Sequence, residues 1–207
     1  MMNKYFKLFL ISFTALFLEI ACIRWFNSNV VMISYFSNFV LLACFLGTGI
    51  GLLLSTKETN YIVFFPSIFL ILCVIFLKVI ISIDVNSDIS VYFTGPGVSK
   101  GIPLYSASAW WFLPIVFILT TTMFISFGQE IGRAFEHLKP LEAYIVNISG
   151  SILGVTLFTI MSFFNSPAII WFIIVFIPVT LYLYRKILFV FNVFTVVWQI
   201  SHFSNEK

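Results

Sequence analysis

The stretch Gly128–Phe172, GQEIGRAFEHLKPLEAYIVNISGSILGVTLFTIMSFFNSPAIIWF, gathers charge, amide, glycine and proline inside an otherwise apolar sequence. Its first part carries Gln129, Glu130, Arg133, Glu136, His137, Lys139 and Pro140, which is too polar for hydrocarbon and reads as a water-facing connection. The apolar run that follows places Ala143, Asn147, Gly150, Ser151 and Gly154 at three- and four-residue spacing. On a helix that spacing makes one stripe of small and hydrogen-bonding side chains, which is expected to face protein and not lipid.

Working outward, the whole chain shares this apolar background. Hydrophobic residues make up 61% and charged residues 9%, with 27 phenylalanines in 207 positions; soluble domains carry roughly a quarter charged residues. This composition implies an integral membrane protein. A bilayer core about 30 Å thick takes about 20 apolar residues per helix, so the length allows six or seven spans and little soluble domain. Eleven Lys and Arg are scattered over connections without a basic run, which argues against nucleic acid and fits positive-inside topology.

The expected fold is an all-α polytopic transmembrane bundle forming a single domain over 1–207. Spans are expected at about 8–26, 30–54, 61–83, 109–127, 141–164 and 168–184. The segment 187–203 has no Gly or Pro with which to turn and sets Asn192, Thr195, Gln199, His202 and Glu206 on one face. It fits a prolonged sixth helix, an interfacial helix or a seventh span. The longest connection, Asp84 to Ser108, contains Gly95-Pro96-Gly97 and a piece, Ile89–Phe93, that suits a short strand or an interfacial segment. Asn165-Ser166-Pro167 reads as a tight break before the last of the six spans.

Lys4, Lys7, Lys57, Arg133, Lys139, Arg185 and Lys186 fall on one side of this plan, and Arg24, Lys100 and, if it lies past the end of the third span, Lys78 on the other, with the side of Lys207 set by the C-terminal segment. The asymmetry predicts an inner-membrane protein with its N-terminus and the Gly128–Leu141 connection in the cytoplasm. Ile20-Ala21-Cys22 ends the first apolar run, but Glu19 spoils a lipidation pattern and further spans follow, so that segment is expected to stay in the membrane.

Two blocks resemble a known family. Glu19-Ile-Ala-Cys-Ile-Arg24 with Tyr35-Phe-Ser-Asn-Phe-Val-Leu-Leu-Ala-Cys-Phe-Leu-Gly47-Thr-Gly-Ile-Gly51 is similar to the opening of bacterial membrane-embedded spermidine-synthase-like proteins. Gly128–Arg133, Pro140–Ser151 and Ser166–Phe172 resemble their later spans. In that family a transporter-like membrane half is fused to a cytosolic Rossmann-type transferase domain. No counterpart of that second domain stands in this sequence, so the resemblance implies either a stand-alone membrane subunit or an amino-terminal piece, with an association to polyamines.

Glu19 is the leading candidate for function, because an ionisable group inside a span costs about 2.5 to 3.5 kcal/mol unless paired or wetted. It is expected to form an intramembrane polar site with Arg24, Asn38, Asn147 and Ser151, or else a structural network near the outer interface. Gly47-Thr-Gly-Ile-Gly51 imitates a nucleotide-binding turn but lacks the following amphipathic helix and acid, so Gly47 and Gly51, like Gly150 and Gly154, are read as helix packing. Gln129, Glu130 and Arg133 are a candidate cytosolic docking patch or a solvated face.

Cys22, Cys44 and Cys73 sit in apolar runs with no ligand spacing, and His137 and His202 are isolated, so no metal site, cofactor or catalytic constellation is expected. A membrane-embedded enzyme using Glu19 and His202 for acid-base work is the weakest reading, since no paired carboxylates, HExxH or nucleophile constellation supports it; two functions stand ahead of it. One is a non-catalytic membrane module that anchors or serves a cytosolic transferase. The other is a small oligomeric transporter of a cationic or amphipathic solute lined by Glu19, Asn38, Asn147 and Ser151.

Overall fold

The computed structural model describes residues 3–30, 33, 38–84, 90–92 and 105–183. Its bundle is all-helical. Helix α1 is Lys4–Asn29, α2 Asn38–Leu53, α3 Phe65–Lys78 after a 3-10 turn at Tyr61–Phe64, α4 Ala109–Glu136, α5 Pro140–Phe163 and α6 Ala168–Leu183. At 1.5 Å per residue, α1, α4 and α5 are roughly 36–42 Å long, enough to cross a bilayer core of about 30 Å. By length and composition these three are membrane-crossing helices, and α2, α3 and α6 are shorter apolar ones. The chain is therefore a membrane protein in its architecture.

Several expected boundaries move. The third span was expected over 61–83, but α3 stops at Lys78 and the backbone becomes extended over Val79–Asp84 (β1). This strand pairs antiparallel with Ser90–Tyr92 (β2) and parallel with Tyr105–Ser108 (β3), giving a three-stranded sheet of order β2-β1-β3. The β-branched run Val79-Ile-Ile suits that geometry. The larger correction is at Gly128. The expected water-facing connection is the last turns of α4, which runs to Glu136 and leaves 137–139 as the link to α5. Residues 31–32 and 34–37 of the expected second span, and the whole of 187–203, lie outside the described residues.

Two glycine-lined seams hold the long helices together. On α2, a Cβ on Gly47 would meet the Thr121 carbonyl and, at 2.7 Å, Phe124 Cβ, while one on Gly51 would lie 2.8 Å from Gly128 Cα. On α4, a Cβ on Gly128 would strike Thr48, and one on Gly132 would stand 2.7 Å from Ser55 Cβ. Gly51 thus faces Gly128, with Gly47 one turn before it on the Thr121–Phe124 turn and Gly132 one turn beyond against Ser55, and along this seam backbone approaches backbone. Helix α5 uses the same device against α1, with Gly150 and Gly154 each leaving only 2.5 Å for a Cβ to the Phe9 and Phe13 carbonyls. In lipid, where apolar side chains gain little by leaving the solvent, such close approach is what makes helices adhere.

Away from these seams the core is aromatic. Phe26 stacks on Phe76 with centroids 4.4 Å apart, Trp25 packs on Phe76 and Phe172, and Phe69 meets Phe172 at 4.7 Å. The α5–α6 turn closes by a Schellman pattern. Ser166 N–H donates to Met161 O and Asn165 N–H to Ser162 O, both at 3.1 Å, with Asn165 in the left-handed region at φ 50°.

Candidate functional site

The helices alternate in direction, so the starts of α1, α3 and α5 and the ends of α2 and α4 meet at one end of the bundle. That end is polar. Glu130 on α4 is fully buried and pairs with Lys7 of α1 at 3.1 Å and with Arg133, one turn on, at 3.0 Å. Two cations around one carboxylate compensate the desolvation that burial imposes.

Gln129 and Arg133 bind the α2–α3 connection. Gln129 is fully buried; its Nε2 donates to Leu54 O at 3.1 Å and Thr59 O at 2.7 Å, and its Oε1 accepts from Tyr61 N–H at 3.0 Å. Ser126 donates to Tyr61 O at 3.2 Å. The Arg133 guanidinium donates to the carbonyls of Ser55, Lys57 and Thr59 at 3.2, 2.5 and 2.9 Å and to the Asn60 side chain. A side-chain amide and a guanidinium so replace the water that would otherwise satisfy these loop carbonyls. Tyr5 donates to Glu142 at 2.5 Å and Lys139 pairs with Glu142 at 3.6 Å, tying the starts of α1 and α5.

Gln129, Glu130 and Arg133 therefore do not form an outward docking patch. Gln129 and Glu130 are interior, and Arg133 is largely enclosed by the loop it binds. Nothing in the local sequence marks this, because the partners of Gln129 and Arg133 on the α2–α3 connection lie 68 to 78 positions away and Lys7, the partner of Glu130, lies further still, on α1. What this end exposes is Lys57, Glu58, Glu136, His137 and Lys139.

The expected intramembrane set is not gathered into one cluster. Glu19 is buried at 6% exposure and, among the described residues, makes no hydrogen bond or ion pair. Arg24 does not reach it; its guanidinium lies 5.2 Å from the centre of the Trp171 ring. Asn38 is exposed at the start of α2. Asn147 hydrogen-bonds Ser12 at 2.6 Å, on the seam between α1 and α5 and two turns nearer the polar end than Glu19. Ser151 is half-buried along the same seam. Gly47, Gly51, Gly150 and Gly154 are packing residues, as their spacing indicates.

Two buried hydroxyls were not singled out by the sequence. Thr120 and Thr121 on α4 are 1% and 8% exposed, and their Oγ1 atoms have no hydrogen-bond partner among the described residues. Thr122, Thr156 and Thr159 each donate to the carbonyl four residues back, so sequence alone gives no sign that their neighbours differ.

Among the described residues no group of three or more His, Cys, Asp or Glu side chains is placed to hold a metal. A small apolar cavity between Leu10, Ile11, Thr14, Ile62, Phe127, Pro178 and Val179 has room for about one water. The geometry defines a helical membrane bundle with a braced polar end and, away from it, buried polar side chains without hydrogen-bond partners among the described residues. No protein family, no curated protein and no solved structure matches the chain.

Proposed function

We propose that this protein is a non-catalytic multi-pass module of the bacterial inner membrane, crossing six times with its N-terminus in the cytoplasm. Its polar end carries a cytosolic partner. The observation that carries this reading is the convergence of Lys4, Lys7, Lys57, Arg133 and Lys139 at one end of the bundle, where the α2–α3 connection is tied down by Gln129 and Arg133. Cations collected on one side favour the cytoplasmic face, and a braced loop offers a partner a surface that needs little ordering on binding. The partner class implied by the resemblance to spermidine-synthase-like proteins is a Rossmann-type transferase. The docking residues are the exposed Lys57, Glu58, Glu136, His137 and Lys139.

The test is mild-detergent purification from the native membrane with quantitative mass spectrometry. A stoichiometric soluble transferase, lost when Lys57, Glu58, Glu136 and Lys139 are charge-reversed together, is the expected result. Co-purification unchanged by that variant, or self-oligomers alone, contradicts it.

A second reading, an oligomeric transporter of a cationic or amphipathic solute, is favoured by one observation: Glu19 is buried in a membrane-length helix without a partner among the described residues. It predicts that Glu19→Gln abolishes polyamine flux in reconstituted vesicles.

A further inference from the structure

Thr120, Thr121 and Glu19 occupy the same level of the bundle. Counting from the Lys7–Glu130 pair, Glu19 is twelve residues along α1 and Thr120 ten along α4. At 1.5 Å per residue these are roughly 18 and 15 Å from the polar end. Packing contacts set the register of α2 against α4. Gly47 of α2 stands against Phe124 of α4 as well as the Thr121 carbonyl, and the two helices run parallel, so Cys44, one turn before Gly47, lies near the level of Thr120, one turn before Phe124.

The faces also agree. Thr120 continues the buried α4 row of Phe112 and Val116, and Glu19 the buried α1 row of Ala15, Cys22 and Phe26; both rows belong to one core. Thr121 lies on the side of α4 that meets α2. Buried small side chains flank this level: Ala15 and Cys22 lie one turn to either side of Glu19 on α1, and Ala43 and Cys44 one turn before Gly47 on α2.

We infer that Glu19, Thr120 and Thr121 form a binding site for a hard monovalent cation of the sodium type, at mid-depth between α1, α2 and α4. Native proteins rarely leave one buried hydroxyl oxygen unpaired, and here two face the layer of a buried carboxylate that is also unpaired. One bound cation answers all three: its charge balances the carboxylate, and oxygen ligands suit a hard ion. A divalent ion would leave an excess positive charge in the bilayer interior, which is costly. A soft ion would call on the thiols, and the described residues hold no metal-ligating group of three. A proton would neutralise Glu19 but leave both threonine oxygens unpaired. The inference concerns binding, and it stands whether the protein anchors a partner or moves a solute.

The test uses the full chain in lipid nanodiscs, with the thermal midpoint followed as choline chloride is exchanged for sodium, potassium or lithium chloride at fixed ionic strength and pH. A saturable rise with one or more alkali cations is expected for the wild type. Glu19→Gln should lose the response, and Thr120→Val should weaken the apparent affinity by about tenfold, as for one lost ligand bond. If Glu19→Gln does not fold, Thr120→Val and Thr121→Val carry the test. Identical midpoints in choline and all three alkali salts would overturn the site. So would a full response in the variants, or a stability that follows pH alone.

Discussion

Glu130 and Glu19 are the same residue type at nearly the same burial, 0% and 6% exposed, yet the bundle treats them oppositely. At the polar end Glu130 is held by Lys7 and Arg133, within a network that also ties the α2–α3 connection. Further along the bundle Glu19 has no hydrogen bond or ion pair among the described residues, and Thr120 and Thr121, at the level inferred for it on α4, carry buried hydroxyls in the same condition. Charge at the end is spent on structure. The layer around Glu19 is where an outside ligand is needed to complete the chemistry. Polarity inside a membrane chain thus has two meanings, and partner geometry separates them.

The contrast can be broken first at its structured side. Glu130→Ala strands Lys7 and Arg133 without their shared counter-ion, and a loss of about 3 kcal/mol is expected in reversible denaturant unfolding from mixed micelles. A loss within error would mean that the polar end is loosely held. Widening the α2–α4 seam comes next. Gly47→Leu places a side chain against the Thr121 carbonyl and should cost about 1 to 3 kcal/mol by overpacking, whereas Gly49→Leu, which has open space around it, should be tolerated. Equal effects at the two glycines would refute the seam.

Removing the Gln129 clamp is a smaller insult. Gln129→Ala leaves the Leu54 and Thr59 carbonyls and the Tyr61 N–H without their side-chain partner, and about 1 to 2 kcal/mol is expected where water enters slowly. Hydrogen exchange at Tyr61 should accelerate at least tenfold; unchanged protection would remove Gln129 from the brace. The smallest effect lies at the α5–α6 turn. Asn165 holds φ 50°, so Asn165→Gly should change stability by less than about 1 kcal/mol, while Asn165→Val should lower it clearly.

Sequence periodicity was enough to locate the long apolar helices. Gly150 and Gly154 could be read as packing because their stripe lies on one face of a single helix. Gly47 and Gly51 were legible for the same reason, but their counterparts Gly128 and Gly132 were not. The charges beside them imitate a loop, and only the fold shows that those charges are paired inside. The extended backbone after Lys78 was hidden too, since a β-branched apolar run looks the same whether it ends a span or forms a strand. Glu19 stood out by residue type, whereas Thr120 and Thr121 did not, because a helical threonine ordinarily satisfies itself on its own backbone. Arg24 shows the limit of proximity in sequence: five residues from Glu19, it lies over Trp171 instead.

The most direct test compares Glu130→Gln with Glu19→Gln in the same alkali-free choline buffer, reading the unfolding midpoint of each against the wild type. Glu130→Gln should unfold at markedly lower denaturant, because its cations lose their counter-charge. Glu19→Gln should match or exceed the wild type, because without a bound cation the wild-type carboxyl contributes no stabilising contact there. Comparable destabilisation by both, or a loss at Glu19 alone, would contradict the division between a structural and a ligand-completed carboxylate.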